Sequence, residues 1–317
     1  MCSMSVATLD LSVIILTYNE ELHIRRCLER VRPIAKRVVV VDCYSTDQTV
    51  AICKELGAEV IQHEWPGNQA RQFNWALQHL DIQTEWVLRL DADEYLLPEL
   101  VEELKNKIPN TPNAVAAYSI PLGRAFMGRI LKHGIVNGIK IVRLFRMGKA
   151  HYEERLMDEH FAVDGEVAEL SNQFIDDSLL SVKKFVEKHN GYSSREAALL
   201  LDAEFGLSDH KECNERLGEI AAKKRAQKAK YARMPLFWRS FAYFCYRYFF
   251  KMGFLDGKEG FLWDFLQGWW YRTLVDAKVY EVKKACGSDK EKIKAMLNKE
   301  YGIVIEEVSN TKRGGNS

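Results

Sequence analysis

Apolar and polar positions alternate along the first ninety or so residues in a way that predicts short buried strands separated by amphipathic helices. The predicted strands, rich in β-branched or other large apolar side chains, are residues 11–16, 37–42, 58–62 and 86–90. The predicted helices are residues 20–31, 46–56 and 68–80. Gly57 follows the second helix, where a left-handed residue commonly ends a helix. Near-continuous apolar strands that alternate with helices predict a mostly parallel, doubly wound α/β sheet.

Polar side chains follow three of these strands at the point where each strand ends. Residues 17–20 follow the first strand, Asp42 ends the second, and residues 91–94 follow the fourth. Ligands of such sheets bind outside the carboxyl ends of the strands. Unpaired carboxylates are costly to bury, so Asp91, Asp93 and Glu94 indicate a cation there. A hard divalent ion with open positions for phosphate oxygens fits best, and a solvated turn is the alternative for the D-x-D triplet alone.

The nucleotide-binding patterns of two large protein classes are missing from the sequence. Neither G-x-G-x-x-G after the first strand nor G-x-x-x-x-G-K-[ST] occurs, which argues against Rossmann dinucleotide binding and P-loop chemistry. Asp42 offers an acceptor for the imide N–H of a base on which Tyr18 could stack. The alternative for Asp42 is an N-terminal cap of the helix that begins near Thr46. Arg71 could reach a diphosphate, or it could be a solvated surface arginine.

A second group of chemically active side chains lies in residues 151–160, after a strand predicted at residues 140–146. A carboxylate across from a metal–phosphate site can deprotonate a hydroxyl nucleophile. Asp158 and Glu159 are both candidates, and Asp158 is slightly favoured. His160 is a candidate metal ligand. A charged helix face or loop is the alternative interpretation of the segment.

The composition changes near residue 221. Residues 221–251 contain nine basic and no acidic residues, and aromatic side chains crowd residues 237–250. This combination predicts an interfacial, membrane-bound helical region. A nucleic-acid surface and a helical subdomain that packs its aromatics inward are the alternatives. We therefore predict a catalytic domain over 9–215, a helical membrane- or acceptor-associated region over 216–290 and a partly disordered tail over 291–317.

The whole chain has 317 residues, a net charge of +1 and seven cysteines without a C-x-x-C pair. Irregularly spaced cysteines indicate free thiols in a reducing compartment. The first apolar stretch is too short for a signal peptide, and no apolar run is long enough to span a bilayer. The sequence thus predicts a cytoplasmic protein that associates peripherally with the inner face of the cytoplasmic membrane.

Three segments, residues 12–20, 40–49 and 91–94, resemble the family 2 glycosyltransferases in order and spacing. The likeness extends over roughly residues 9–285 and is strongest to bacterial enzymes of lipopolysaccharide core, capsule or exopolysaccharide assembly. It implies a GT-A nucleotide-sugar fold and, for most of the family, inversion at the sugar carbon. It also implies a UDP-sugar donor, a Mn²⁺ or Mg²⁺ ion and a glycan or lipid-linked acceptor hydroxyl.

The resemblance also implies a role for individual residues. The residues on the nucleotide side would be Leu16 and Tyr18 at the base, Asp42 at uracil, and Glu20, Arg71 and Asp91. Asp93, the second acid of the D-x-D motif, would contact the metal. Asp158 and Glu159 occupy the region of the family's catalytic base, although in the reverse of the common Glu-Asp order. A nucleotidyltransferase and a non-catalytic membrane-associated scaffold are the rival functions.

Overall fold

The computed structural model describes residues 8–135, 139–153, 161–208, 231 and 234–305. Contacts divide the chain into two units, residues 1–179 and 180–317. This division lies before the boundary predicted at residue 216, because the helix Val182–Phe205 packs into the core of the second unit.

The described residues of the first unit form twelve strands and four helices. The strands are β1 (Leu9–Thr17), β2 (Ala35–Asp42), β3 (Glu59–Gln62), β4 (Trp86–Asp91), β5 (Glu94–Leu96), β6 (Val115–Phe126), β7 (Arg129–Leu131), β8 (Lys140–Arg146), β9 (Ala150–Tyr152), β10 (Phe161–Val163), β11 (Glu166–Glu169) and β12 (Phe174–Asp176). The helices are α1 (Ile24–Val31), α2 (Thr49–Glu55), α3 (Gln69–His79) and α4 (Pro98–Lys107), the last followed by the 3₁₀ turn Ile108–Asn110.

The main sheet has the strand order β3-β2-β1-β4-β8-β6-β12-β5. Its first four strands are parallel to one another, as the alternation of strands and helices predicts. Strand β8 is antiparallel to both of its neighbours, β4 and β6. The predicted α/β class with a mostly parallel sheet is confirmed.

The strands of the parallel half are buried on both faces, since alternate residues of β1 belong to two different apolar clusters. Val13 and Ile15 pack with residues of α1, α2 and α4. Ile14 and Leu16 pack with the apolar face of α3, which includes Phe73. This two-sided burial explains why β1 reads as a continuous apolar run.

The second unit, as far as it is described, is helical. Its helices are α5 (Val182–Phe205), α6 (Trp238–Cys245), α7 (Gly257–Trp263), α8 (Tyr271–Cys286) and α9 (Lys290–Tyr301). π-helical turns at Tyr246–Phe250 and Asp264–Trp270 follow α6 and α7, and a 3₁₀ turn spans Gly253–Asp256. Helices α5, α8 and α9 share one apolar core. The segment predicted as a partly disordered tail therefore begins with an ordered helix, α9. Among the described helices, none is both long and apolar enough to cross a membrane.

The aromatic side chains of residues 237–250 point both inward and outward. Phe244 is buried and contacts the Trp269 ring at a centroid distance of 5.4 Å. Arg239 forms a fully buried ion pair with Asp276. Trp238, in contrast, is 72% exposed. The inward-packing alternative is thus correct for part of the segment, and the basic residues 223–230 lie outside the described part of the chain.

Candidate active site

Three neighbouring strands end at one edge of the sheet, and several of the predicted site residues lie there in a row. Thr17 of β1 is paired with Asp42 of β2, and Leu16 of β1 is paired with Asp91 of β4. Since neighbouring strands lie about 4.8 Å apart, Asp42 and Asp91 flank β1 at a separation of about 10 Å between their backbones. The fold therefore brings the acids of two distant sequence segments to one edge.

The Asp42 side chain is completely buried and accepts four hydrogen bonds. Its Oδ1 accepts from Thr17 Oγ1 at 3.0 Å and from Ser45 Oγ at 2.5 Å. Its Oδ2 accepts from the Ser45 backbone N–H at 2.8 Å and from Gln62 Nε2 at 3.3 Å. The N-cap of α2 is Gln48, so the helix-cap alternative for Asp42 is wrong. A nucleotide base could hydrogen-bond to Asp42 only if one of these four donors were displaced. Gln62 is the candidate for displacement, because it is exposed and makes the longest of the four bonds.

Two segments, together called the strand-end loops, are joined by side chain–backbone hydrogen bonds. The first runs from the last residue of β1 to residue 21 (residues 17–21), and the second runs from the end of β2 to the first residue of α2 (residues 43–49). The bonds run from Asn19 N to Ser45 Oγ (2.8 Å), Glu20 N to Thr49 Oγ1 (2.7 Å), Glu21 N to Asp47 Oδ2 (3.2 Å), Thr46 N to Asn19 Oδ1 (2.8 Å) and Gln48 N to Glu21 Oε2 (3.0 Å). Because these bonds hold residues 20–21 and 46–48 in the loops, α1 and α2 begin three to four residues later than predicted. The two loops form one connected structure.

Glu20 is tied to the end of the first unit through a buried histidine. The Nδ1 atom of His23 lies 2.6 Å from Glu20 Oε2, and its Nε2 accepts the backbone N–H of Leu179 at 2.9 Å. Because Nε2 is the acceptor, the ring proton belongs on Nδ1 and is donated to Glu20. The contacts of Glu20 thus support the loop, and its place beside a nucleotide stays a prediction.

Two tyrosines extend from the strand-end loops into solvent. Tyr18 is 59% exposed and Tyr44 is 53% exposed. Tyr44 has a φ of 58°, in the left-handed region that a bulky side chain rarely adopts. The sequence analysis predicted a role for Tyr18 but overlooked Tyr44. The left-handed backbone conformation of a non-glycine residue such as Tyr44 cannot be predicted from the residue type.

The carboxylates after β4 have different environments. Glu94 is buried, and its oxygens accept from Arg143 Nη2 at 2.6 Å and from the Asp91 backbone N–H at 2.9 Å. Burial, followed by the charge of Asp91, raises the pKa of Glu94 well above its ordinary value. Asp91 is a quarter exposed and accepts from Arg89 Nη2 at 2.7 Å and Arg143 Nη2 at 3.3 Å. Glu94 therefore fixes the turn, and both oxygens of Asp91 are engaged by guanidinium groups.

Arg89 and Arg143 are site residues that the sequence analysis missed. Both are buried, and each interrupts the apolar run of a strand, β4 or β8. A charged residue inside a strand that is otherwise apolar needs a buried partner. That break in the pattern was the available signal, and here the partners are Asp91 and Glu94.

Asp93 lies half-buried in the turn between β4 and β5. Its backbone carbonyl accepts the Asp177 N–H at 3.1 Å. The described residues contain no group of three or more His, Cys, Asp or Glu side chains that could hold a metal by themselves. The donor chemistry of Asp93 nevertheless fits Mg²⁺ or Mn²⁺, since such ions bind to one or two carboxylates and complete their shell with phosphate oxygens and water. His160 lies outside the described residues.

Helix α3 connects this edge of the sheet with the strand that precedes the predicted catalytic acids. Arg71 is half-buried in its first turn, where its backbone N–H is capped by Asn68 Oδ1 at 2.8 Å. Asn74 exchanges two hydrogen bonds of 2.9 Å with the backbone of Tyr152 in β9. The Tyr152 hydroxyl in turn lies 3.4 Å from Arg143 Nη1.

Asp158 and Glu159 lie outside the described residues, so their positions are not tested. The strands on either side of them, β9 and β10, are paired, with Tyr152 opposite Phe161. Arg143 contacts both the Tyr152 hydroxyl and the Asp91 carboxylate, so the side chains of Tyr152 and Arg143 connect β9 with the carboxylate turn.

Comparison with known proteins gives a family match. The model of the family "Glycosyl transferase family 2" matches residues 12–163. An uncharacterized glycosyltransferase of Rickettsia typhi is 29% identical over 197 residues, which cover 59% of this chain and 66% of that protein. One from Rickettsia felis is 39% identical over 95 residues, 30% of this chain and 32% of the relative. The chain thus spans between about a third and two thirds of these relatives.

Solved structures with a similar arrangement have low sequence identity. The S. aureus TarS 1–349 structure is 19% identical, with 92% of each chain covered and a TM-score of 0.42. The mannosyltransferase PcManGT of Pyrobaculum calidifontis, solved with GDP-Man and Mn²⁺, is 15% identical, with 87% of this chain and 88% of that chain covered and a TM-score of 0.45.

The family domain and the first unit begin and end close together in the sequence. The matched residues 12–163 contain β1 to β10 almost entirely, including the row of acids at the sheet edge. The predicted family resemblance is confirmed, and with it the GT-A class of fold. Residues 12–163 of the chain form a domain of the glycosyl transferase family 2.

Proposed function

We propose that this protein transfers a sugar from a UDP-sugar to a hydroxyl group of a glycan or a lipid-linked acceptor. The observation that carries the proposal is the row formed by Asp42, Leu16 and the Asp91–Glu94 turn at one edge of a family 2 domain. The base would lie beside Tyr18 and Asp42, and the diphosphate would extend across β1 toward the carboxylate turn. Arg71, on α3, is the candidate to contact the diphosphate.

Asp93 is the residue proposed to hold a divalent ion. It is half-buried in the turn between β4 and β5 and is the second acid of the D-x-D motif. A bound Mn²⁺ or Mg²⁺ would neutralise the charge that develops on the departing diphosphate. Asp91 would act on the nucleotide-sugar side by keeping Arg89 and Arg143 in position.

The proposed reaction is a single displacement. The acceptor hydroxyl attacks the anomeric carbon, its proton passes to the carboxylate of Asp158 or Glu159, and the bond to the diphosphate breaks. The electron pair of that bond leaves with UDP. Because attack occurs on the face opposite the leaving group, the configuration at the carbon is inverted. The contacts that join β9, Arg143 and Asp91 support a position of the 154–160 segment near the donor.

We further propose that the acceptor belongs to bacterial cell-surface polysaccharide synthesis and is met at the inner face of the cytoplasmic membrane. The support is the seven basic residues of 221–251 other than the buried Arg239 and Arg247, the absence of an acid from that range, and the aromatic residues at 237–250. The resemblance to enzymes of lipopolysaccharide and capsule assembly agrees with such an acceptor.

The proposal is tested with a panel of UDP-sugars and Mn²⁺, read first as thermal stabilisation and then as UDP release. A donor should raise Tm by mass action in a metal-dependent way. Asp93→Asn should remove the metal-dependent part, whereas the control Asp81→Asn, at an exposed residue before the other end of β4, should retain it. Absence of any nucleotide-sugar stabilisation would refute the proposal. Release of pyrophosphate from UTP and a sugar 1-phosphate, without release of UDP from any UDP-sugar, would identify a nucleotidyltransferase.

A further inference from the structure

An exposed turn in the second unit, residues 249–255, has the sequence Phe-Phe-Lys-Met-Gly-Phe-Leu. Its five large apolar side chains are exposed by between 46% (Phe254) and 77% (Phe250). Backbone hydrogen bonds from Met252 N to Phe249 O and from Leu255 N to Met252 O close the turn. A contiguous group of exposed apolar side chains on this scale marks an interaction surface.

The base of this turn is tightly packed. Arg247 and Asp264 form a buried ion pair with an Nε–Oδ1 distance of 2.8 Å. A methyl group at Gly253 would lie 2.0 Å from Asp264 Oδ2, and one at Gly260 would lie 2.6 Å from the Gly253 carbonyl oxygen. Met252 has a φ of 59°, an unfavourable conformation for a non-glycine residue. The chain therefore holds its exposed apolar side chains on a rigid base.

The exposed charged side chains from residue 234 to residue 258 are all basic, and the partly buried Glu259 follows them. Residues 234–258 contain one acid, Asp256, and it is buried. Arg239 and Arg247 are also buried, each in an ion pair. The exposed charged side chains of this segment are Lys251 and Lys258.

We infer that the 249–255 turn inserts into an anionic membrane surface. Phenylalanine side chains enter the boundary between headgroups and acyl chains, while the flanking lysines remain at the level of the anionic headgroups. Self-association of two protein copies through this turn is disfavoured, because it would bring the exposed lysines of one copy close to those of the other. The inference rests on the proposed function, for which it specifies the partner of the second unit.

Cosedimentation of the full chain with lipid vesicles tests the inference. The wild type should bind phosphatidylcholine vesicles that contain phosphatidylglycerol and bind vesicles of phosphatidylcholine alone far less. The double variant Phe250→Ser/Phe254→Ser should bind about tenfold more weakly. Met127→Ser, at an exposed apolar residue of the first unit, should bind like the wild type. Lys251→Glu/Lys258→Glu should lose binding to the anionic vesicles, and Lys54→Glu, an exposed lysine on α2, should not.

Insertion itself is read from Phe250→Trp, whose added fluorescence should be quenched by brominated acyl chains. Equal binding by the serine variant, or absence of quenching, would overturn the inference. So would a change in oligomeric state of the serine variant without a change in vesicle binding. Measurement of UDP and Mn²⁺ binding on the same samples distinguishes a failure of the membrane inference from a failure of the transferase proposal. A wild type that binds UDP but no anionic vesicle contradicts only the membrane inference, whereas vesicle binding without UDP binding contradicts the transferase proposal.

Discussion

At the residue scale, Tyr44 combines an unfavourable backbone with an exposed ring. A left-handed conformation costs a bulky L-residue roughly 1–2 kcal/mol relative to glycine. With 53% of its surface exposed, the ring gains little from packing in the structure as it stands. We expect the ring to contact a bound molecule, because it lies two residues beyond Asp42 in the same loop.

Replacement of Tyr44 by glycine should therefore raise the free energy of unfolding by about 0.5–1 kcal/mol, because the relief of strain exceeds the opposing entropy that the unfolded chain gains. Urea denaturation measures this change. The same variant should weaken UDP binding about fivefold by loss of a ring contact, as measured by calorimetry. Asn19→Gly is the matched control at φ 55°, and it should destabilise the protein because the Asn19 side chain accepts from Thr46. Unchanged UDP affinity in Tyr44→Gly would show that the ring has no part in binding.

The site residues that could be predicted were those that follow strands. Asp42, Asp91 and Glu94 stand out because acids end apolar runs. The sequence could not show that four donors saturate Asp42 or that Arg143 joins Asp91, Glu94 and Tyr152. The contacts of Asp42 and of Arg143 both depend on which strands are neighbours in the sheet. The order of strands in a sheet cannot be read from the apolar pattern of each strand.

At the scale of elements, the apolar pattern predicted β1, β2, β3, β4 and β8 with ends close to those observed. It also predicted α3, whose observed range Gln69–His79 lies within the predicted residues 68–80. The direction of β8 was not predicted, because a buried strand has the same pattern in parallel and antiparallel pairing. The starts of α1 and α2 were wrong for another reason, since hydrogen bonds between the strand-end loops compete with the first helical turns.

Two glycines of the second unit should respond in opposite ways to alanine. Gly253→Ala places a methyl group against Asp264 and should lower the free energy of unfolding by about 2 kcal/mol through overpacking. Gly191 lies within α5, and a methyl group there meets no atom within 4 Å. Gly191→Ala should thus raise the free energy of unfolding by about 0.5–1 kcal/mol through helix propensity. Chemical denaturation of both variants measures the effects, and equal signs would contradict the packing of the 249–255 turn.

A carboxylate of α4 should make the first unit sensitive to acid. Glu103 accepts the backbone N–H groups of Ser171 and Asn172 at 2.8–3.1 Å. Burial alone would raise the pKa of Glu103, but these bonds outweigh burial and hold the pKa below its ordinary value of 4.5. The folded state therefore binds its proton less readily than the unfolded state. The stabilisation is complete above pH 4.5 and is lost as the pH falls through the lower folded-state pKa.

Glu103→Gln should accordingly reduce stability at pH 7 and show a smaller further loss between pH 5 and pH 3 than the wild type. Urea midpoints across that range measure the difference. Glu102→Gln, an exposed neighbour on the same helix, should retain the wild-type pH dependence. If Glu103→Gln and the wild type lose stability in parallel, the carboxylate has no linkage to folding.

At the scale of the whole molecule, the proposed donor site and the proposed membrane contact belong to different units. The row of acids lies within residues 1–179, and the 249–255 turn lies within residues 180–317. The two binding activities should therefore be separable by substitution, since no residue is shared between them.

Asp93→Asn should lose metal-dependent stabilisation by UDP and retain binding to anionic vesicles. Phe250→Ser/Phe254→Ser should show the opposite result, because the substituted residues belong to the second unit and the proposed donor-site residues to the first. Parallel thermal-shift and cosedimentation measurements on the two variants test this separation. Loss of both activities in either variant would contradict it.

The hydrogen bonds between the strand-end loops also limit how donor preference can be engineered in this protein. Each loop supplies side-chain partners for the backbone of the other, so one loop taken from a relative would arrive without its counterpart. A chimera that exchanges residues 17–21 alone would leave Ser45, Thr46 and Gln48 facing foreign groups. The two segments have to be transplanted together, as a single graft.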